Sequence, residues 1–270
     1  MSAEARLAET RHAFDAVADA YDGPLGNNEI VRRMRAELLA AVERWIPAPA
    51  RLLDLGCGTG IDAAHLAARA YRVTAVDAAP GMVARTRARA AREGLGDRVT
   101  ARELPLEALG TLAGAAFDGA YSDLGALNCA ADLAGVAASC AAALRPGGVL
   151  VASVIGRLCP WELAYYFARG ELRRARVRFA AGAVPVPLAG GTVWTRYYRP
   201  QEFLAAFRPA FVCVARRALG LLSPPPYLVG FHRRLPRTSR ALARLDRWFG
   251  RLPLAREAGD HFLVVLRRHV

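Results

Sequence analysis

The chain has 270 residues, 54% of them hydrophobic, and a formal charge of +13. That apolar content suits a large core and excludes a disordered protein. No charge-free apolar run of about 18 residues offers a membrane span. Residues 1–15 lack the apolar centre of a secretory leader, so the expectation is a cytoplasmic protein. The charge is uneven: lysine is absent, residues 1–135 carry 15 Arg against 18 acids, and residues 136–270 carry 22 Arg against 6. Such a basic half either attracts phosphate, carboxylate, nucleic acid or an anionic membrane, or decorates a solvated surface.

Residues 5–20 place Leu7, Phe14 and Val17 at helical spacing. Tyr21-Asp22-Gly23-Pro24 then breaks the pattern. A second helix is expected over 28–45, stopped by Pro47. From there the rhythm changes. Residues 51–55 read as a short buried strand, a glycine turn follows, and 62–70 form a helix. The next strand covers 71–77, and Pro80 suits the first turn of a helix running to 92. Strands are expected at 99–104 and 117–122. A helix over 132–144 stops at Arg145-Pro146-Gly147-Gly148, before a fifth strand at 149–155. This alternation predicts βαβ units in a parallel sheet.

Beyond 155 the pattern is interrupted. Residues 157–191 read as an inserted helix and an irregular piece marked by Pro185, Pro187 and Gly190-Gly191. Residues 193–198 are strand-like, 200–207 helical, and 211–215 a sixth strand. Ser223-Pro224-Pro225-Pro226 opens a long connection with a helix at 239–249, and 261–266 is the last strand. No internal repeat or low-complexity linker divides the chain. One domain is expected: a helical cap (1–48), a core (49–156), an insert or lid (157–191), and C-terminal strands with a connection over the pocket (192–270). Cys57, Cys129, Cys140, Cys159 and Cys213 form no CxxC pair, so no zinc or redox motif is visible. They read as buried or half-buried thiols.

The chemistry lies in Leu52-Leu53-Asp54-Leu55-Gly56-Cys57-Gly58-Thr59-Gly60, a strand running into a glycine turn. Glycines permit positive φ and let a ligand lie against bare backbone. A dinucleotide fingerprint, GxGxxG, would need glycine where Ile61 stands. The spacing here is GxGxG, with Asp54 two residues before the first glycine. A carboxylate there repels a pyrophosphate and favours a ligand bearing an ammonium and a sulfonium. Asp77 ends the next strand 21 residues after Gly56, where a carboxylate suits ribose hydroxyls.

These residues resemble the class I S-adenosylmethionine-dependent methyltransferase family, in its small-molecule branch. The likeness covers residues 10–156, and the last strand suits that family's antiparallel edge. It implies a Rossmann-like, doubly wound, seven-stranded sheet with helices on both faces. It also implies S-adenosyl-L-methionine as cofactor. Gly56, Cys57, Gly58 and Gly60 would surround its methionine part, with Asp54 ordering the ammonium. Asp77 would hold the ribose, and Ala78 to Met82 would flank the adenine. Glu103 would accept from the adenine amino group, and the Leu104 amide would meet the ring. Ser122 and the following Leu124-Gly125-Ala126-Leu127-Asn128-Cys129 loop are similar to the segment beside the methyl sulfur. The (D/N)-P-P-(Y/F/W) motif of enzymes methylating planar exocyclic nitrogens is absent.

In open α/β sheets the ligand lies at the carboxyl ends of the parallel strands. Candidates there are His12, Tyr21 and Asn28 from the N-terminal helices, with Tyr21 as a roof over the methionine end. Others are Trp161, Tyr165 and Tyr166 from the insert, and Tyr227, Asp260 and His261 from the C-terminal connection. His261 and His12 are the candidate bases, needed only for an acceptor proton of high pKa. Asn128, Trp161, Tyr165, Tyr198, Tyr227 and Arg199 are the candidate acceptor contacts, with Arg196 and Arg199 able to grip an acidic group. The expected function is methyl transfer to an O, N or C atom of a small metabolite. An RNA methyltransferase using the basic half and a non-catalytic cofactor-binding subunit are the alternatives.

Overall fold

The computed structural model describes residues 1–23, 26–253 and 255–270. Pro24, expected to help end the first helix, lies outside them. Helix α1 (Ala3–Val17) is capped by the Ser2 hydroxyl, which accepts from Ala5 N–H at 3.2 Å. Helix α2 (Glu29–Trp45) starts at Asn28, whose side-chain oxygen accepts from the Ile30 and Val31 amides. Both are N-caps satisfying helix-start donors that would otherwise lack partners. Asn28 therefore serves the helix, and its amide nitrogen donates to Pro226 O at 3.3 Å.

The alternating core follows: β1 (Arg51–Leu55), α3 (Ile61–Ala67), β2 (Arg72–Asp77), α4 (Pro80–Arg92), β3 (Val99–Glu103), β4 (Phe117–Ser122), α5 (Leu133–Ala143) and β5 (Leu144–Ile155). The insert comprises α6 (Pro160–Ala168), α7 (Leu172–Ala175), β6 (Val184–Leu188) and β7 (Gly191–Thr195). Then come α8 (Pro200–Phe207), β8 (Phe211–Leu219), α9 (Val229–Arg234), α10 (Pro236–Phe249) and β9 (His261–Arg268). Seven strands form one sheet in the order β3-β2-β1-β4-β5-β9-β8. Strands β1 to β5 are parallel, and β9 runs antiparallel to both β5 and β8.

The inner strands are largely apolar on both faces because helices cover both, whereas the edge strands β3 and β8 carry exposed residues. On one face Leu53, Leu55, Leu150, Val154, Val264 and Leu266 pack against α5 and α8. On the other Leu52, Val73, Tyr121, Val151 and Val265 pack against α2, α3 and α4.

Four expectations need correction. The piece before 191 is not irregular: β6 and β7 form a separate antiparallel hairpin. Pro185 and Pro187 are its exposed alternate residues, positions on a two-stranded ribbon that need no N–H for pairing. The strand expected at 193–198 stops at Thr195, and the sixth strand extends from the expected Ala215 to Leu219. Arg216 and Arg217 continue the strand, paired with Glu257 and with Glu37 of α2. Cys213 is exposed, not buried.

Candidate active site

Gly56, Gly58 and Gly60 all take positive φ, at +79°, +53° and +77°. A Cβ on Gly56 would stand 2.4 Å from Ala126 Cβ, and one on Gly60 2.8 Å from Thr86. A Cβ on Gly58 would meet nothing within 4 Å. Two of the glycines thus let protein backbone pack closely, while the third faces open space that a ligand can fill. Above this turn, Asp22 accepts from Thr59 Oγ1 and pairs with Arg89 of α4. Asp15 accepts from Gly81 N–H at 2.6 Å. These bonds fix the segment after α1 over the crevice, and with it the half-buried Tyr21.

Side chains alternate along strands, so register decides which groups share this crevice. Ala75, Asp54, Tyr121, Val151 and Val265 form one row on the face beneath α2. Asp77 lies two residues further along β2, and Asp123 two residues beyond Tyr121. Ile155, His261 and Leu219 form the last row of the same face at the carboxyl edge.

The acids dominate the electrostatics. Asp54 is 2% exposed, and its Oδ2 has no hydrogen-bond partner among the described residues. Burial pushes its carboxyl well above the ordinary range, and the charges of Asp62, Asp77 and Asp123 push the same way. Burial and Asp123 raise Asp62 to about 6, against the pull of Arg35. Asp77 is also raised by burial, opposed by backbone N–H donors; Gly58 N–H and Ala79 N–H each reach one of its oxygens at 2.9 Å. Tyr21 is pushed up to about 12 by burial, with Asp77 and Asp123 adding to it. Arg35 is the buried cation here, bonded to Asp62 and held ionised by it and Asp123 against the effect of burial. Two guanidiniums, Arg35 and Arg89, set among the five acids Asp22, Asp54, Asp62, Asp77 and Asp123 leave a crevice that prefers a cation.

Several expected contacts are already engaged within the protein. The Leu104 amide donates to Asp77 O at 2.9 Å, so the extended sheet uses the donor expected to meet adenine. Glu103 pairs with Arg11 at 2.6 Å on the surface. The Ser122 hydroxyl lies on the opposite face of β4 and donates to Leu55 O. Asn128 is a clamp rather than an acceptor contact: its amide nitrogen donates to Ile155 O and Arg196 O, and its oxygen accepts from Ile155 N–H. Tyr198 is 3% exposed and packs edge-on against Phe203 in the core. Arg199, Arg196 and His12 are exposed. Met82 is buried with Val17, Ala18 and Ala79, and the Cys57 thiol sits 3.5 Å from Thr86 Oγ1.

The C-terminal side of the edge holds a second polar group. Arg178 bonds to Glu162 Oε2 at 2.7 Å and to Asp260 Oδ1 at 2.6 Å, all three being buried. Tyr227 donates to Glu162 at 2.7 Å. His261 Nδ1 lies 2.9 Å from Asp260 Oδ2. Burial opposes ionisation of Asp260, but Arg178 and His261 outweigh it and hold the carboxyl well below its ordinary range. An ionised Asp260 places the imidazole proton on Nδ1. Nε2 is then a buried acceptor with no partner among the described residues. Cys159, Glu162 and Asp260 lie close enough to share a metal ion, but the guanidinium of Arg178 already occupies both carboxylates. Trp161 Nε1 donates to Leu222 O, and Tyr165 stacks edge-on with Tyr166.

Reasoning from sequence singled out Asp54, Asp77 and His261 but missed Asp22, Asp62, Asp123, Arg35 and Arg178. One signal was available: Arg35 lies four residues from both Val31 and Leu39 on the buried face of α2, where a cation needs a partner.

The sheet order, the antiparallel β9, the bare glycine turn and the buried acid before it define a class I methyltransferase fold. A family model described as "Methyltransferase domain" matches residues 52–148. Over 182 residues the chain is 32% identical to a ubiquinone biosynthesis O-methyltransferase of Methylocella silvestris, covering 66% of this chain and 65% of that protein. Over 175 residues it is 33% identical to a malonyl-acyl-carrier-protein O-methyltransferase of Dechloromonas aromatica, covering 64% and 60%. These alignments span less than two thirds of each relative. The fold matches a Burkholderia thailandensis 1,6-didemethyltoxoflavin-N1-methyltransferase solved with S-adenosylhomocysteine, with a TM-score of 0.61 at 21% identity over 100% of this chain and 91% of that one. Residues 52–148 therefore match a methyltransferase-domain family, and the chain as a whole shares the fold of that solved methyltransferase.

Proposed function

We propose that the protein methylates a small-molecule acceptor, at an oxygen atom. The observation carrying this reading is the buried Asp54 carboxyl, its Oδ2 without a partner among the described residues, amid Asp62, Asp77 and Asp123. A buried charge without a partner is costly, and a cationic ligand removes that cost. S-adenosylmethionine fits: Asp54 would face its ammonium, the Gly56–Gly60 backbone its methionine chain, and Asp77 its ribose. Each Asp77 oxygen keeps a lone pair free for a hydroxyl after meeting its backbone amide. Tyr21 would roof the methionine end. When bound, the cofactor supplies an electrophilic methyl group on sulfonium.

The protein's remaining tasks are alignment and proton removal. His261 Nε2 is the group suited to take the acceptor proton, with Asp260 holding its tautomer and Arg178 holding Asp260. From the Ser122 row at the end of β4, His261 stands two strands across and three residues further along, roughly 14 Å away at ordinary sheet spacings. That gap suits a small acceptor between the two. The choice of oxygen follows the two O-methyltransferase relatives. Calorimetric titration of S-adenosylmethionine tests the reading; micromolar binding that NAD and ATP do not displace is expected. Preferential binding of either phosphate-bearing nucleotide would overturn it.

A further inference from the structure

Helix α10 has an outward face that the methyltransferase site does not use. Its buried residues are Ser239 and Asp246. Asp246 accepts from the Leu222 and Ser223 amides, which fixes the helix on the connection after β8. At 100° per residue the outward half divides into two stripes. Arg237, Arg240, Arg244 and Arg247 lie on one side. Leu245, Trp248 and Phe249 lie on the other, 44%, 77% and 45% exposed, and Leu252 just beyond is 50% exposed. Asp246 is the one acid of the helix, and it points inward.

The arginines are available. Among the described residues Arg237, Arg240 and Arg244 form no salt bridge, and Arg247 approaches Glu37 only at 4.0 Å. A cavity of about 290 Å³ between α10, α2 and β8 is lined in part by Arg217, Arg240, Arg244 and Arg247. A second exposed apolar point, Phe167 at 73%, ends α6 beside Arg169. The ring contact between Trp161 and Phe231, at 5.1 Å, joins α6 to α9, the element preceding α10.

We infer that α10 docks the protein on an anionic phospholipid surface. Trp248, Leu245, Phe249 and Leu252 enter the headgroup–acyl boundary, and the arginine stripe meets lipid phosphates. An interfacial helix combines an apolar stripe with flanking cations in this way. Nucleic acid would use the arginines but leave the aliphatic stripe in water. No helix among the described residues is long and apolar enough to cross a membrane, so α10 would lie in the surface plane.

Vesicle co-sedimentation of the full chain tests this, with phosphatidylcholine alone and with about 30% phosphatidylglycerol added. Partitioning at least roughly tenfold stronger onto the anionic vesicles is expected. Each arginine matters by roughly fivefold, so R240E/R244E should abolish most of it, and W248A/L245A should weaken it as well. Brominated lipid should quench tryptophan fluorescence in the wild type and much less in W248F. All variants should keep the wild-type affinity for S-adenosylhomocysteine. That readout separates failure of this inference from failure of the methyltransferase reading. Equal partitioning onto both vesicle types would overturn it. So would wild-type partitioning by both double variants, or salt-dependent binding of single-stranded RNA with no vesicle binding.

Discussion

Replacing Asp54 by asparagine should move ligand affinity and protein stability in opposite directions. The side chains are nearly isosteric, so the change removes charge with little change of packing. A hydrogen bond to a charged group contributes about 1.5–3 kcal/mol. S-adenosylmethionine and S-adenosylhomocysteine, which share the ammonium, should therefore bind D54N roughly 10- to 150-fold more weakly. Without ligand the sign reverses. An unfolded Asp titrates near 3.9, whereas burial and three neighbouring acids raise Asp54 in the folded protein. Between those two values the folded protein holds a proton that the unfolded chain has released. Wild-type stability thus falls as pH rises from about 4 toward the native value, by up to about 1.4 kcal/mol per pH unit. The uncharged amide of D54N has no such loss. Urea unfolding at pH 5 and pH 7 should show ligand-free D54N more stable than wild type, by a larger margin at pH 7. Calorimetry in buffers of different ionisation enthalpy should show proton release on binding to the wild type and less with D54N. Binding within threefold of wild type, or a D54N protein less stable at both pH values, would refute the electrostatic account.

The glycine turn separates packing from binding. G56A drives a Cβ to 2.4 Å from Ala126 at positive φ and should destabilise the fold by about 2–4 kcal/mol in urea. G58A meets open space and should cost only about 1 kcal/mol, yet lower cofactor affinity roughly tenfold or more by filling the ligand's place; equal effects on both readouts would contradict this division. H261Q should leave cofactor affinity unchanged and reduce kcat by about 10²- to 10⁴-fold against phenol acceptors; wild-type kcat in that variant would exclude Nε2 as the base. R178M strips the shared cation from buried Glu162 and Asp260 and should cost about 3–5 kcal/mol. That deficit should be larger at pH 8 than at pH 5, where Asp260, no longer held ionised by Arg178, can take up a proton.

The legible features were those whose cause is local. Asp54-Leu55-Gly56-Cys57-Gly58-Thr59-Gly60 carries a buried strand, the residues able to take three positive φ angles, and an acid beside them within seven positions. Alternation of strands and helices then implied the parallel core, and the apolar run from His261 implied the last strand. The hairpin of β6 and β7 was not legible, because Pro185 and Pro187 argue against a strand until the register with β7 shows that they need no pairing N–H.

The same division runs through the site. Leu104, Ser122 and Asn128 carry suitable donors and acceptors, yet each is engaged by backbone from another segment: Asp77, Leu55, and Ile155 with Arg196. Chain order alone could not reveal that competition. Nor could it show that Arg35, 27 positions before Asp62, answers that carboxylate, or that Arg178, 82 positions before Asp260, orders the dyad with His261. Sequence by itself determined the sheet, the ligand-admitting turn and the acid preceding it, since backbone sterics and side-chain alternation act within a few residues. Tertiary structure alone decided which polar atoms stay free and which charges stay uncompensated, since hydrogen bonds and Coulomb forces act between whatever groups folding brings together.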